Sequence, residues 1–147
     1  MIELPDPQAT ERLGASIAPL LRPGDVIALF GTLGSGKTSL CRGVLHGLGF
    51  AGEVPSPTFP IVVTYAPPEL RLPVWHVDLY RVEAPEELEE LGLDEALGEA
   101  ALLIEWPERL PALWPDALRL TLAAGQGGGR SLTASAPAAW GSRWPPR

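Results

Sequence analysis

Eight residues near the end of the first quarter of the chain have the types and spacing needed to bind phosphate. Residues 31–38 read GTLGSGKT, which matches the pattern G-x-x-x-x-G-K-[ST] at every fixed position. Glycines let successive backbone N–H groups face one concavity, and the start of a helix adds partial positive charge. The stretch therefore predicts a site for a nucleotide polyphosphate. The expected contacts are Leu33, Gly34, Ser35, Gly36, Lys37 and Thr38.

Two side chains of this loop have specific predicted roles. Lys37 is the single lysine in a chain with ten arginines. A primary ammonium reaches the β- and γ-phosphate oxygens as a compact point charge, whereas a guanidinium is wider and prefers a bidentate partner. The hydroxyl of Thr38 is the expected ligand of Mg²⁺. A glycine-rich turn without a ligand is the weaker alternative, because the full pattern follows a strand signal and opens a helical one.

A phosphate site of this kind also needs a carboxylate at the end of a neighbouring buried strand, to hold Mg²⁺ or its water. Glu105 ends the apolar run ALLIE and is the favoured metal ligand. Asp78 ends VWHVD, and we expect it to orient the attacking water or to contact the water around the metal. Each acid could instead be a solvated residue at a strand end. His76, which interrupts the second run, is interpreted as a structural histidine rather than a base.

Two further residues lie where a nucleotide or a partner would be sensed. Thr58, in SPTF, lies between the helix that follows the phosphate-binding loop (the P-loop) and the next strand. Switch-type NTPases place a hydroxyl that senses the γ-phosphate at this position. An ordinary turn threonine is the alternative. Trp106 follows Glu105 as the chain leaves a strand for a loop, where a large aromatic more often meets a ligand or partner. The chain has no asparagine, so the Asn-Lys-x-Asp reader of guanine is absent and ATP is the expected nucleotide.

The elements that must position these residues alternate between helices and strands, which predicts an α/β fold. We expect a P-loop NTPase three-layer sandwich, whose mixed central sheet has parallel core strands and antiparallel edge strands. Asp6 caps a first helix that begins at Pro7, and the P-loop helix runs from Thr38 to Gly49. Two extended segments around the turn APPE form a hairpin. The stretch ALRLTLAAGQGGGRSLTASA predicts two edge strands with a glycine-rich turn, and the tail from about residue 137 is expected to be loosely held.

Composition limits the classes of function. At 147 residues, 46% of them hydrophobic, the chain is expected to form one domain over residues 1–147. The net charge is −7, and ten acids between residues 83 and 108 have no basic residue among them. No cluster of basic residues is visible, which argues against unaided binding of nucleic acid. One cysteine excludes an internal disulfide, and the lack of a leader-like start or a long apolar run predicts a cytoplasmic protein without a membrane span.

Five stretches of the chain resemble one protein family. GTLGSGKTSLCRGVLHGLG, VPSPTF, HVDLYR, EELEELGLDEAL and LLIEWPE occur in the order and spacing of the TsaE family of small bacterial P-loop ATPases. The resemblance runs from about Leu4 to Arg130, and HVDLYR and IEWPE are far more specific than the P-loop. The chain departs from the family pattern at Thr32 and Ser35, where the family usually has Asp and Ala, and at Pro7, which replaces an acid of the first helix.

The resemblance implies a role for ATP and Mg²⁺ in making threonylcarbamoyladenosine in tRNAs that read ANN codons. Members of the family dock on a heterodimer of TsaD, which transfers the threonylcarbamoyl group, and TsaB. ATP hydrolysis is expected to reset that complex between turnovers, and tRNA is contacted only through the complex. Carried over by position, Lys37 and Thr38 are the P-loop residues, Thr58 the switch threonine and Glu105 the Mg²⁺ carboxylate.

Several other positions have an expected role only through this resemblance. The motif positions tied to hydrolysis and to the TsaD contact are Asp78, Tyr80, Arg81 and Trp106. The wall of the base and ribose site is expected near Pro7 and at Gly129 and Arg130.

Two functions of other classes are alternatives. A small P-loop kinase of a nucleoside or other small molecule needs an acceptor pocket and an arginine-bearing lid, whereas the chain between Arg81 and Arg109 is acidic. A nucleotide-gated binding module would show negligible hydrolysis. In the sequence, no arginine neighbours the P-loop before Arg42, which lies inside the following helix. An arginine finger supplied in trans raises the rate of hydrolysis by roughly 10³ to 10⁵. We therefore expect slow turnover alone and faster turnover with TsaB and TsaD.

Overall fold

The structure is a computed structural model of the chain and describes residues 1–55, 57 and 61–146. Within these residues, strands alternate with helices along most of the chain. The strands are β1 (Ile2–Leu4), β2 (Val26–Phe30), β3 (Val62–Tyr65), β4 (Val74–Asp78), β5 (Ala101–Glu105), β6 (Leu118–Ala124) and β7 (Arg130–Ser135). The α-helices are α1 (Pro7–Ile17), α2 (Lys37–Gly47), α3 (Pro85–Leu91) and α4 (Leu93–Ala96). Short 3₁₀ turns include Ala18–Leu20, Pro107–Arg109 and Ala138–Arg143.

The described strands form one seven-stranded sheet in the order β1-β7-β6-β2-β5-β4-β3. Strands β6, β2, β5 and β4 are parallel to one another, while β3 is antiparallel to β4, and β7 is antiparallel to both β6 and β1. Parallel strands in the middle and antiparallel strands at the margins confirm the predicted fold class. The carboxyl ends of β2, β4 and β5 consequently meet at one edge of the sheet.

Hydrophobic side chains pack on both faces of this sheet and give the fold its three layers. On one face, Ile27 of β2 and Leu103 of β5 pack with α1 and α2. On the other face, Leu102 and Ile104 of β5 pack with α4 and with the segment after β4. Successive residues of a strand point to opposite faces. Strand β5 is therefore apolar up to its last residue, Glu105, as the sequence predicts for a strand buried on both faces.

Helix α1 packs against α2, the helix that follows the P-loop. Asp6 caps α1 by accepting a hydrogen bond from the backbone N–H of Ala9 at 2.7 Å, and Pro7 is the first helical residue, as predicted. The two helices approach so closely that a Cβ atom on Gly43 of α2 would clash with the backbone carbonyl of Glu11. Glycine alone fits at this crossing. The close contact with α1 therefore fixes the direction in which α2 leaves the end of β2.

The predicted hairpin is confirmed. Strands β3 and β4 pair antiparallel around the predicted turn, with Tyr65 opposite Val74. Helix α3 begins at Pro85, and Gly92 ends it with a φ of 71°, a left-handed conformation that glycine adopts without strain.

The prediction that the last two strands are edge strands is wrong. Strand β6 pairs with β2 on one side and with β7 on the other, and β7 also pairs with β1. The edges of the sheet are β1 and β3. Alternating exposure along β6 reports which faces of the strand are buried, whereas its hydrogen-bonded neighbours lie in the plane of the sheet and leave no such pattern.

The tail also differs from its prediction. Trp140 is 1% exposed and packs in the core cluster that includes Ile17 and Leu21. The guanidinium of Arg143 lies 2.7 Å from Asp25 Oδ2 and also donates to the carbonyl of Leu20. Burial of a large aromatic side chain and an ion pair hold this segment on the domain, so Ala138–Arg143 is packed rather than loosely held.

Candidate functional site

A cavity of about 260 Å³ opens where the ends of β4 and β5 meet the start of α2. It combines most of the predicted phosphate loop with both strand-end acids and the aromatic residue after β5. The lining residues are Leu33, Gly34, Ser35, Gly36, Lys37, Thr38, Ser39, Asp78, Glu105 and Trp106. Open α/β sheets bind ligands at this edge, outside the carboxyl ends of their parallel strands. The cavity is therefore the candidate site.

The loop before α2 has the curled backbone that a phosphate site needs. Gly34 and Gly36 have φ angles of 74° and 102°, in the left-handed region that residues with a side chain rarely adopt. Gly36 is also the N-cap of α2, so the first N–H groups of that helix and the positive end of its dipole face the cavity. Such an arrangement of backbone donors suits a polyphosphate.

Lys37, the first residue of α2, is buried and is held by two contacts. Its Nζ donates a hydrogen bond to the carbonyl of Gly31 and lies 3.8 Å from the centre of the Trp106 ring. Burial lowers the pKa of the ammonium below its ordinary value, and nearby carboxylates, chiefly that of Glu105, oppose this shift. A buried charge is costly unless it is compensated. A phosphate in the cavity would add compensating negative charge.

Thr38 and Glu105 bring two oxygen donors together across the cavity. Thr38 Oγ1 donates to the carboxylate and lies 3.2 Å from Oε1 and 3.1 Å from Oε2. Mg²⁺ prefers hard oxygen ligands and is usually held by one or two protein groups together with substrate phosphates. The oxygen donors that line the cavity therefore fit Mg²⁺, and the role of these two residues as its ligands stays a prediction.

Asp78 lies directly opposite Glu105 in the register of β4 and β5. The two acids are 5% and 3% exposed, so neither is the solvated strand-end residue of the alternative interpretation. Asp78 Oδ1 accepts a hydrogen bond from the backbone N–H of Tyr80 at 2.9 Å. Thr58, the predicted switch residue, is outside the described residues, and its role stays a prediction.

His76, which does not line the cavity, contacts Glu105, a contact that the sequence interpretation missed. Its Nε2 lies 2.7 Å from Glu105 Oε2, and both side chains are buried. Alternation along β4 places His76 on the same face as Asp78, but only the pairing of β4 with β5 shows that this face meets Glu105. Cys41 of α2 is also close, since single donor atoms of these three residues all lie within 4.8 Å of one another.

The residues predicted for the base and ribose line a second, smaller cavity of about 140 Å³ on the other side of the loop. Pro7, Gly129 and Arg130 meet there with Gly34 and Gly36 of the phosphate loop, although they are far apart in the chain. Arg130 Nη2 donates to the carbonyl of Gly34 at 2.9 Å, and Nη1 donates to carbonyls of its own turn. The structure thus places the predicted phosphate and nucleoside contacts side by side.

Trp106, which lines the first cavity, and Tyr80, which packs against Trp106, form an aromatic rim beside it. The rings of Trp106 and Tyr80 are 4.8 Å apart between centroids, and the guanidinium of Arg109 lies 5.8 Å from the Tyr80 ring. Trp106 has a φ of 60°, which turns the chain sharply after β5 and sets the ring over Lys37. Tyr80 is 37% exposed and Arg81 is exposed, so the predicted partner residues reach the surface beside the site.

The two P-loop positions that depart from the family pattern have different surroundings. Thr32 is exposed. Ser35 is buried, and its Oγ has no hydrogen-bond partner within the described part of the chain. Serine therefore fits the space at this position but leaves a hydroxyl without a partner there.

Comparison with known proteins identifies the family. A family model described as "Threonylcarbamoyl adenosine biosynthesis protein TsaE" matches residues 4–132, most of the chain and all of the candidate site. The chain belongs to the TsaE family. Individual proteins named "tRNA threonylcarbamoyladenosine biosynthesis protein TsaE" are also similar to this chain.

The TsaE protein of Synechocystis is 46% identical over 117 residues, which cover 75% of this chain and 71% of that protein. The Streptomyces coelicolor protein is 43% identical over 112 residues, or 75% and 76% of the two chains. The Bacillus subtilis protein is 41% identical over 111 residues, or 72% and 68%. The crystal structure of Bacillus subtilis YdiB superposes with a TM-score of 0.74 at 30% identity, covering 92% of this chain and 83% of that one.

Membership of the TsaE family confirms the resemblance stated from the sequence motifs. It implies a nucleotide-binding protein with a role in tRNA threonylcarbamoyladenosine biosynthesis. No helix within the described residues has both the length and the apolar character needed to span a membrane.

Proposed function

We propose that this protein is the Mg²⁺-dependent ATP-binding and ATP-hydrolysing subunit of the bacterial complex that installs the threonylcarbamoyl group on ANN-decoding tRNAs. The observation that carries the proposal is the hydrogen bond from Thr38 to Glu105 beside the buried ammonium of Lys37. Together they place a hydroxyl, a carboxylate and a cation around one cavity at a helix N-terminus. Phosphoryl transfer from a nucleotide uses this set of groups.

The residues of the site divide the chemistry among them. The loop N–H groups and Lys37 bind the β- and γ-phosphates through charge-assisted hydrogen bonds. Thr38 and Glu105 hold Mg²⁺, which when bound neutralises charge on the phosphate oxygens. Asp78, buried opposite Glu105, orients the attacking water. Thr58 completes the proposed set as the residue that senses the γ-phosphate.

The second cavity supports the choice of a nucleoside triphosphate as ligand. Pro7, Gly129 and Arg130 adjoin the phosphate loop at a place where a base and ribose could follow the phosphates. Pro7 offers a ring face or a backbone contact, since it lacks the acid that is usual in the family. ATP is the proposed nucleotide because the chain has no asparagine to supply the guanine reader of GTPases.

Hydrolysis by the isolated protein is proposed to be slow. Among the described residues that line the two cavities, Arg130 is the one arginine, and its guanidinium donates to backbone carbonyls. An arginine finger supplied by another protein raises the rate by roughly 10³ to 10⁵. We therefore propose that the TsaD–TsaB heterodimer accelerates hydrolysis, and that hydrolysis resets the complex between turnovers. Tyr80 and Arg81 at the rim are proposed to contact TsaD.

The charge distribution supports an indirect relation to tRNA. The net charge is −7, and the acids concentrate between residues 83 and 108, which include α3 and α4. Nucleic-acid binding relies on basic side chains that neutralise phosphates. We propose that tRNA is engaged by the complex and not by this subunit alone.

Product analysis tests the proposed reaction. Purified protein is incubated with ATP and Mg²⁺, with and without TsaD–TsaB, and free phosphate is measured while nucleosides and nucleotides are examined by mass spectrometry. We expect free phosphate alone, slowly from the isolated protein and faster with the heterodimer. A phosphorylated acceptor would instead identify a small P-loop kinase. Turnover of about 1–100 s⁻¹ by the isolated protein, the range of ordinary kinases, would contradict the need for a partner.

A further inference from the structure

We infer that His76 is a positioning residue for Glu105: its ring N–H fixes the carboxylate toward Thr38 and thereby sets how tightly the site binds Mg²⁺. The inference rests on the proposed function, because it concerns the metal carboxylate of that site. His76 does not line the cavity. It therefore acts through Glu105 and not on the nucleotide.

The sheet itself fixes the distance between the two residues. Strands β4 and β5 are parallel neighbours in which Asp78 pairs with Glu105 and His76 pairs with Leu103. His76 comes two residues before Asp78 in β4, so the two side chains lie on the same face of the sheet. The hydrogen bond of 2.7 Å joins side chains that are 0% and 4% exposed, so water does not compete for either partner.

The hydrogen bonds of the carboxylate show why this donor matters. Within the described residues, Glu105 accepts from Thr38 on both oxygens and from His76 on Oε2. Thr38 is itself a proposed ligand of the cation, so its hydroxyl has two tasks. His76 does not line the cavity, and within the described residues the one hydrogen bond of its ring is to Glu105. Partners of this kind around a metal ligand fix its orientation, and their loss typically weakens metal binding.

The surroundings of the ring assign its proton. Because Glu105 accepts the hydrogen bond, Nε2 carries a hydrogen. Nδ1 is buried and has no hydrogen-bond partner among the residues that the structure describes. The arrangement therefore makes His76 a hydrogen-bond donor to Glu105 through Nε2.

Two amide substitutions separate positioning from simple filling of space. In His76→Gln the side-chain amide nitrogen can reach the place of Nε2, whereas in His76→Asn it is one methylene short. Binding of a fluorescent ATP analogue is titrated with Mg²⁺, and is measured again in EDTA, for wild type and both variants. We expect His76→Asn to need about ten-fold more Mg²⁺ for half-maximal metal-dependent binding. His76→Gln should remain close to wild type, and binding in EDTA should be the same for all three.

The outcomes separate this inference from the proposed function. Equal Mg²⁺ midpoints in wild type and both variants overturn the role of His76 and leave the function standing. An equal loss of binding in EDTA and in Mg²⁺ shows a purely structural role and also overturns the inference. A wild-type protein whose ATP binding is indifferent to Mg²⁺ overturns the proposed function as well.

A measurement on the wild-type protein covers the case in which a variant does not fold. The chain has two histidines, His46 and His76, and ¹⁵N NMR of their rings reports the tautomer of each. We expect His76 to carry its hydrogen on Nε2, in slow exchange with water. A ring that carries its hydrogen on Nδ1 alone overturns the inference.

Discussion

The phosphate end and the nucleoside end of the proposed nucleotide site are built in different ways. At the phosphate end, Lys37, Thr38 and Glu105 lie at the meeting point of α2 and the inner strands, and the side chains bond to one another or to the loop. At the nucleoside end, Pro7 begins α1 and Arg130 begins β7, and a hydrogen bond from Arg130 to the Gly34 carbonyl joins the two ends.

This difference indicates that the two ends contribute different things to function. A network fixed by the sheet core suits groups that must be placed accurately for phosphoryl transfer, because small displacements of such groups are costly. Residues that reach the loop from outside the inner strands, joined to it by one hydrogen bond, suit contacts that add affinity. We therefore expect substitutions at the phosphate end to change metal dependence and hydrolysis, and substitutions at the nucleoside end to change only affinity.

Lys37→Ala is expected to have the largest effect. The ammonium is the one lysine charge in the chain, and charge-assisted hydrogen bonds contribute roughly 1.5–3 kcal/mol each. ATP affinity should fall about 100-fold, the equivalent of about 2.7 kcal/mol, as measured with a fluorescent ATP analogue. Arg12→Ala, which removes an exposed charge on α1, is the matched control. An affinity within three-fold of wild type would remove Lys37 from the phosphate end.

Glu105→Gln is expected to uncouple the metal from the nucleotide. The amide keeps an acceptor for the Thr38 hydroxyl but removes the charge that attracts Mg²⁺. Mg²⁺-dependent hydrolysis should fall by at least the 10- to 100-fold that is typical of losing an outer partner of a metal ligand. ATP binding in EDTA should not fall. Glu99→Gln, at an exposed acid, should match wild type, and Mg²⁺ dependence that survives in Glu105→Gln would contradict the assignment.

The same contrast explains how much could be predicted from the sequence. The P-loop and the strand-end acids were predictable because each depends on a short stretch of chain: GSGKT, and a polar residue at the end of an apolar run. The pairing of His76 with Glu105 was not, because it depends on which strands are neighbours. The position of β6 was missed for the same reason.

The nucleoside end depends on contacts between distant parts of the chain. No local pattern marks Arg130 as a neighbour of Gly34, and its predicted place came only from family resemblance. The buried Trp140 was missed in a similar way. A tail rich in small residues and proline looked unstructured by composition, whereas one large ring and the ion pair of Arg143 hold it on the core.

Trp106→Leu tests whether the aromatic ring at the rim of the cavity restrains the Lys37 ammonium. The Trp106 ring lies over the ammonium, so a γ-phosphate must compete with a cation–π contact of about 1 kcal/mol. Removing the ring should strengthen ATP binding about five-fold, and Trp106→Phe should give a smaller gain, as measured by calorimetry. Weaker binding in Trp106→Leu would show that the ring contacts the nucleotide instead.

Arg130→Ala is expected to have the smallest effect, and this effect should be on ATP affinity alone. The one hydrogen bond that joins Arg130 to the phosphate loop, at the Gly34 carbonyl, contributes about 1 kcal/mol or less, so ATP affinity should fall about three-fold with an unchanged Mg²⁺ midpoint. Arg119→Ala, on the exposed side of β6, is the control. A shift in the Mg²⁺ midpoint would show that the two ends are coupled and would break the proposed division.

Reconstitution with TsaB and TsaD on unmodified tRNA tests the central claim most directly, by counting threonylcarbamoyladenosine formed per complex with ATP and Mg²⁺. Wild-type protein should support many modifications per complex, whereas Lys37→Ala and Glu105→Gln should support no more than about one. Sustained multiple turnover with both variants would contradict the claim that this subunit acts through ATP hydrolysis at the P-loop.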